Sequence, residues 1–432
     1  MQMETLSYIS EKTQSFLDRF KDHPHQGPLK SAQKAQEEAL GYLQIQEAPT
    51  TRSERWKYSR IARILNGEWT IGKADAPYNL DASNIPEFDG YSAVFINGNF
   101  NAEASKLPSI TGVSIMPMSE AVTQHAATLE DKFASLSNHQ REWFEALNTA
   151  YANNGLFVHA AKGTSLDKPL RILQISSGTN VWSQVRHFVM IEESCKLELV
   201  QHTVLEKSGT AFTNGLTEAF VSENASLRIT QIQDETTGSF AVNTTWIKQL
   251  RDSRVTVNTM TLDGDWVRND LNILVDGENC ETHMNGVYMP REKQHVDNHT
   301  MIDHLKPHCT SYELYKGIVT DKATAVFNGK VFVRQDAQLT NAFQQNANIL
   351  LDDDATMYSK PELEIYADDV KCSHGSTTGQ FDEEAVFYLR ARGLGELAAR
   401  KLLVSAFVSE ALELVENEAL EAYITERLGI QH

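Results

Sequence analysis

The hydrophobic rhythm of the chain changes twice. In residues 5–20, Leu6, Ile9, Phe16 and Phe20 fall on one helical face, until Pro24 and Pro28 break the pattern. Residues 29–43 repeat it with Ala32, Ala35, Ala39 and Leu43. Residues 91–98 read as a buried strand ending in the turn Asn97-Gly98. Residues 120–152 predict helix again, with Trp143, Phe144, Leu147 and Tyr151 on the apolar face and Gly155 as the stop. The first 160 residues therefore predict a mainly helical domain.

From Leu170 the period falls to two. Short runs rich in β-formers occur at 170–175, 186–191, 197–202, 218–221, 227–232, 255–262, 270–275, 324–327, 331–333 and 357–358. A turn phrase recurs among them: an acidic or polar pair, a small residue, then alternation. It appears as Glu193-Ser194-Cys195, Glu223-Asn224-Ala225, Glu278-Asn279-Cys280, Asp321-Lys322-Ala323 and Asp353-Asp354-Ala355. The spacing is roughly 30 residues, or a multiple or fraction of that. Such a period predicts a β-solenoid whose stacked coils share one core, with a β-sandwich as the alternative. No helix-length pattern interrupts the region, which argues against a doubly wound α/β fold. The same repeat makes Cys195 and Cys280 small inward fillers, standing where other units carry alanine.

Helical rhythm returns at Asp382, a candidate N-cap, and stops at Gly393. Two further helices are predicted over 395–414 and 416–428. On the longer one, Leu403, Phe407 and Leu414 mark one face, and Leu397, Val404, Val408 and Leu412 another. So wide a stripe either packs under a neighbour or docks a partner. The expected division is 1–160, mainly helical; 161–380, the β core; and 381–432, a helical segment.

Composition narrows the class. The chain has 432 residues, 41% hydrophobic and 22% charged, as in globular proteins of more than one domain. A net charge of −19 argues against a nucleic-acid or anionic-membrane partner. The N-terminus lacks the pattern of a secretory signal, and no apolar run is long enough to span a bilayer. Four widely spaced cysteines fit a reducing cytoplasm better than a disulfide framework.

Two constellations carry candidate chemistry. His295, Asp297, His299, Asp303, His304, His308 and Cys309 form the densest cluster. Their spacing is mixed for a metal site, and alternation on a strand sends neighbours to opposite faces. Stacked polar side chains, or a subunit interface, is the competing reading. Cys372-Ser373-His374 is sparser, but residues two apart share a face of a strand, so thiol and imidazole could meet one ligand. There the competing reading is a turn with Cys372 as filler. Trp56 and Tyr58, among charged neighbours, read as anchors at a domain surface. Asn328-Gly329-Lys330-Val331 is not a phosphate-binding loop, and no serine-nucleophile or zinc-hydrolase motif occurs.

Longer stretches change the weighing. Lys360-Pro361-Glu362-Leu363-Glu364-Ile365-Tyr366-Ala367-Asp368-Asp369-Val370-Lys371-Cys372-Ser373-His374-Gly375 closely resembles sequence of the SufB/SufD family of iron–sulfur cluster assembly scaffolds. So do Phe387-Tyr388-Leu389-Arg390-Ala391-Arg392-Gly393 and Tyr312-Glu313-Leu314-Tyr315-Lys316-Gly317, and 52–59 resembles the family's Trp-Lys-Tyr segment. Within the family the chain resembles the SufD branch. SufB typically has His-Glu where His374-Gly375 stands, and a cysteine near the segment corresponding to 341–346, which has none here.

The resemblance implies a right-handed parallel β-helix between helical N- and C-terminal parts. It implies a non-enzymatic, cytoplasmic scaffold that assembles with a SufB-like subunit and a SufC-like ATPase, or pairs with itself in isolation. A transient iron–sulfur cluster would form at the subunit interface, with His374 as ligand and Cys372 as a secondary thiol. Phe387, Tyr388, Arg390, Arg392, Leu403 and Phe407 would contact the ATPase. Rival readings are a β-helical carbohydrate-active enzyme and a purely architectural interaction protein.

Overall fold

The alternating region builds a β-solenoid of about eight turns, flanked by helices at both ends of the chain. This computed structural model describes residues 9–21, 29–74, 76–78, 85–86, 88–152 and 154–430. Leu6, Pro24 and Pro28 lie outside them. Each coil gives one strand to each of two ten-stranded sheets. The first sheet runs from Thr356–Ile365 back through Thr324–Val333, His295–His304, Trp266–Val275, Ser239–Gln249, Ala211–Val221 and Val181–Ile191 to Leu156–Ala160 and Val113–Pro117, and its tenth strand, Thr70–Ile71, pairs with Val181–Ile191 off this path. The second runs from Lys371–Gln380 through Asn341–Leu350, Thr310–Val319, Glu281–Tyr288, Arg254–Asp263, Ser226–Asp234, Lys196–Leu205 and Leu170–Ser176 to the hairpin of Tyr91–Ile96 and Asn99–Lys106. Successive coils pair in parallel, with Leu227 between Leu197 and Val255. Parallel pairing throughout the coils excludes the sandwich.

Most coil strands are ten or eleven residues long, well beyond the apolar runs. The reason lies inside the solenoid, where apolar character fills only one side. Leu197, Leu227, Ile229, Val255, Val257, Ile247 and Ile273 form the dry side of the core. The opposite side is a hydrogen-bonded polar seam. Gln174 meets His187 at 2.8 Å, Gln201 donates to Thr217 at 3.0 Å, and Gln231 donates to Thr245 at 3.0 Å. Further along, Asn269 donates to Asn298 at 3.0 Å, Asn346 to the Tyr288 hydroxyl at 3.1 Å, and Ser359 meets Ser376 at 2.7 Å. These buried polar groups are tolerated because the facing strand or a neighbouring coil supplies their partners.

The turn phrase marks corners. Ser194, Asn224, Asp252, Asn279, His308 and Leu339 all have φ between 56° and 62° and stand two residues before a strand of the second sheet. Asn and Asp tolerate that region best. The residue that follows each is buried: Cys195, Ala225, Ser253, Cys280, Cys309 and Thr340. Cys195 and Cys280 are thus corner fillers, their thiols donating to the carbonyls of Ala161 and Leu250, each at 3.0 Å. The phrases ending in Ala323 and Ala355 enter the first sheet instead. Two different corners share one phrase, which is why its spacing falls at fractions of the period.

The flanking helices cover the two outer faces. Phe16, Phe20, Trp56, Trp69 and Trp143 pack on Trp182, Phe212, Phe240 and Trp266 of the first sheet. The helix predicted over 120–152 is instead three pieces, Met118–Gln124, Ala126–Glu130 and Trp143–Tyr151. The break has a cause: the amides of Ala134, Leu136 and Ser137 donate to the Glu218 carboxylate, itself paired with buried Arg186 at 2.7 Å. Those amides are satisfied by a side chain of the solenoid rather than by a helix. Over the second sheet, Val404, Val408, Ala411, Leu412, Leu420 and Ile424 pack on Val200, Ile232, Met260, Val287 and Ile318. The C-terminal helices are Glu383–Ala391, Glu396–Glu413 and Glu418–Arg427, and the Asp382 side chain caps the first by accepting from the Ala385 amide.

Candidate functional site

The coils begin under hairpins and end bare. Thr356–Ile365 and Lys371–Gln380 each have a neighbouring strand on one side only. Most of Lys371–Gln380 is exposed, and a Cβ at Gly375 or Gly379 would meet no atom within 4 Å. Such an edge is a ready template for another chain.

Cys372 and His374 sit on this last rung. Register pairs Cys372 with buried Ala342 and His374 with buried Gln344, so both side chains lie on the inward side where the interior opens. The strand reading holds, and the turn reading does not. Cys372 is half-buried against the solenoid core, while His374 is exposed. Burial pushes the Cys372 thiol above its usual range, against a smaller opposing pull from the Ala342 backbone. That leaves the imidazole as the more available donor and the thiol as the weaker one.

Beneath His374 lies a pair absent from the sequence reading. Glu313 and Gln344 occupy the two preceding rungs of the same column. Gln344 donates to Glu313 at 2.7 Å, and Thr300 donates to its other oxygen. Burial raises the Glu313 carboxyl to about 7 despite these donors. The signal in the sequence is only the coil repeat, which sets 313, 344 and 374 in register.

The C-terminal candidates divide by exposure. Phe387 is 73% exposed and Tyr388 57%, and Arg390 and Arg392 are also exposed, with Arg392 over the Tyr388 ring at 4.9 Å. Leu397, 70% exposed, continues this surface. Leu403 and Phe407 are half-buried against the second sheet, where Lys316 donates to the Phe407 carbonyl at 2.8 Å and pairs with Glu410 at 2.7 Å. The packing half of the sequence alternative applies to most of the stripe: Val404, Val408 and Leu412 are buried, Leu403, Phe407 and Leu414 are half-buried, and Leu397 is open.

The denser histidine cluster is locked. His295 meets the Ser59 hydroxyl at 2.8 Å and stacks on Trp266, and His299 pairs with Asp297 at 3.0 Å. Arg268 bridges Asp297 and Asp270, each at 2.8 Å, and lies 3.9 Å from the Trp56 ring centroid. His304 meets Ser311 at 3.0 Å, Asp303 pairs with Arg334 at 2.7 Å, and His308 occupies a corner. Burial alone would raise Asp270, but Arg268 and then Arg55 hold it down at about 2. Trp56 and Tyr58 are the anchors expected of them: Tyr58 stacks on Tyr358 at 4.0 Å, and nearby Glu54 pairs with Lys360 at 2.7 Å. Among the described residues, no three His, Cys, Asp or Glu side chains are grouped to hold a metal.

Comparison with known proteins agrees with this architecture. Residues 174–407 match the SufBD core domain of SUF system FeS cluster assembly, and residues 10–172 match the SufBD protein N-terminal region. The chain belongs to the SufB/SufD family. It is 30% identical to the iron–sulfur cluster assembly protein SufD of Escherichia coli over 88% of both chains. It is 31% identical to an iron–sulfur cluster assembly SufBD family protein of Synechocystis, over 88% of this chain and 86% of that one. A chloroplastic protein of Arabidopsis thaliana, ABCI7, is 29% identical over 86% and 80%. Within the SufB/SufD family the likeness is to SufD, and the role is in SUF iron–sulfur cluster assembly. No described helix is long and apolar enough to cross a membrane.

Proposed function

We propose that this chain is a non-catalytic, cytoplasmic scaffold subunit whose bare solenoid end pairs with a SufB-like subunit around a nascent cluster. The observation that carries the reading is the last rung. It combines an unpaired strand edge with an exposed imidazole and a nearby thiol on one face. Two donors are too few for a tetrahedral iron site, so the remaining ligands come from the facing chain or from sulfide. His374 is the principal ligand, and Cys372 is secondary because its thiol is held protonated. The cluster is cargo, passed on rather than kept. The segment 381–432 takes a SufC-like ATPase on the surface of Phe387, Tyr388, Arg390 and Arg392, with Leu403 and Phe407 at its inner margin. In isolation the same bare end is free to pair with a second copy. The test is anaerobic reconstitution with both partners. His374→Ala is expected to keep the assembly and lose iron and sulfide, with Cys372→Ala losing less. Equal loading of both variants and wild type rejects the ligand assignment.

A further inference from the structure

Gln344 is 3% exposed, and its Oε1 has no hydrogen-bond partner. Such an atom is costly, and in a packed interior it calls for an explanation. The planar amide supplies one. Its Nε2 is turned back to the Glu313 carboxylate one rung below, at 2.7 Å. An amide's oxygen and nitrogen flank its Cγ–Cδ axis, so with Nε2 committed to Glu313 the Oε1 is left on the other side of that axis. The rung above is His374. Neighbouring strands lie about 4.8 Å apart, within reach of an imidazole turned onto the column.

We propose that Gln344 is a positioning residue for His374: its Oε1 accepts from one ring N–H and turns the other nitrogen's lone pair out of the solenoid mouth. Glu313 sets the direction of the chain. Held by Thr300 on one oxygen, it takes the amide's NH₂ on the other and leaves the carbonyl free for His374. Histidine ligands characteristically donate their second ring N–H to a carbonyl or carboxylate, which fixes tautomer and ring direction. The inference rests on the reading of His374 as a ligand.

The experiment separates the two. In the full metal-free chain, selectively ¹⁵N-histidine-labelled, nitrogen shifts report the His374 tautomer. Iron loading is then read in the assembled complex. Wild type is expected to show one dominant tautomer. Gln344→Leu is expected to give a mixture and to weaken iron binding about tenfold. Glu313→Gln frees the amide to turn over and gives a smaller shift of the same kind. The exchange Glu313→Gln with Gln344→Glu keeps a carboxylate–amide pair with an acceptor beside His374, and restores the single tautomer. A folded Gln344→Leu chain with an unchanged tautomer overturns the proposal, whatever the loading. A changed tautomer with wild-type loading overturns the positioning role. A His374→Ala complex that loads iron fully would instead reject the ligand reading beneath it.

Discussion

The strands His295–His304 and Lys371–Gln380 both carry histidines, and their surroundings are opposite. The first lies in mid-sheet, with a coil on either side and the 54–59 segment packed over its outer face. Its acids and imidazoles are engaged by Arg268, Arg334 and Ser59. The second is the end of its sheet, and its imidazole is exposed. Density of ligand-type side chains is therefore a poor guide to function. What distinguishes the two strands is whether neighbouring coils have already used the donors.

The largest effect expected is at the locked strand. Arg268→Ala leaves Asp270 and Asp297 buried without their shared counter-ion and removes the guanidinium from Trp56. A loss of about 3–5 kcal/mol is expected, read as a lowered urea midpoint by tryptophan fluorescence. Wild-type stability would place this network among the dispensable ones.

Glu313→Gln is the next largest and carries a pH signature. The folded-state carboxyl stands at about 7, above the ordinary 4.5. Between those values the folded chain holds more protons than the unfolded one, so Glu313 costs stability increasingly as pH rises from about 4.5 through 7. The substitution should stabilise the chain by roughly 1–3 kcal/mol at pH 8 and by almost nothing at pH 4. Melting curves at the two pH values check this, and an equal effect at both removes the buried-carboxyl account. Asp270 has the reverse sign: it is depressed from 3.8 to about 2, so its contribution is present above pH 4 and lost as pH falls toward 2.

Tyr58→Ala probes the link between the two regions, since its ring stacks on Tyr358 in the penultimate strand. A loss of about 0.5–1.5 kcal/mol is expected, together with faster amide exchange in Thr356–Ile365. The smallest effect on stability belongs to His374→Ala, within about 0.5 kcal/mol, because an exposed imidazole at the end of the sheet buries little surface. A loss of several kcal/mol there would make the last rung structural, like the histidine cluster.

Much of this was legible in sequence. Alternation and the corner phrase gave the solenoid, and Asp382 with Gly393 bounded a helix that forms as expected. Legibility failed where neighbours distant in sequence supply the partners. Gln201, Gln231 and Asn269 carry no local sign of burial, yet they line the interior, because the coil above or below completes their hydrogen bonds. The helix predicted over 120–152 was broken by Glu218, some eighty residues away. Cys372 and His374 could be placed on one face from spacing alone, whereas their exposure depends on where the coils stop. Glu313 and Gln344 carry no local signature, and only register brings them beneath His374.

The most direct test compares His374→Ala with His299→Ala in the complex assembled anaerobically with SufB-like and SufC-like partners, reading bound iron and sulfide per assembled complex. The account predicts that His374→Ala assembles and loses cluster, while His299→Ala loads normally in whatever fraction folds. Full loading with His374→Ala, or specific cluster loss with a folded His299→Ala complex, would contradict it.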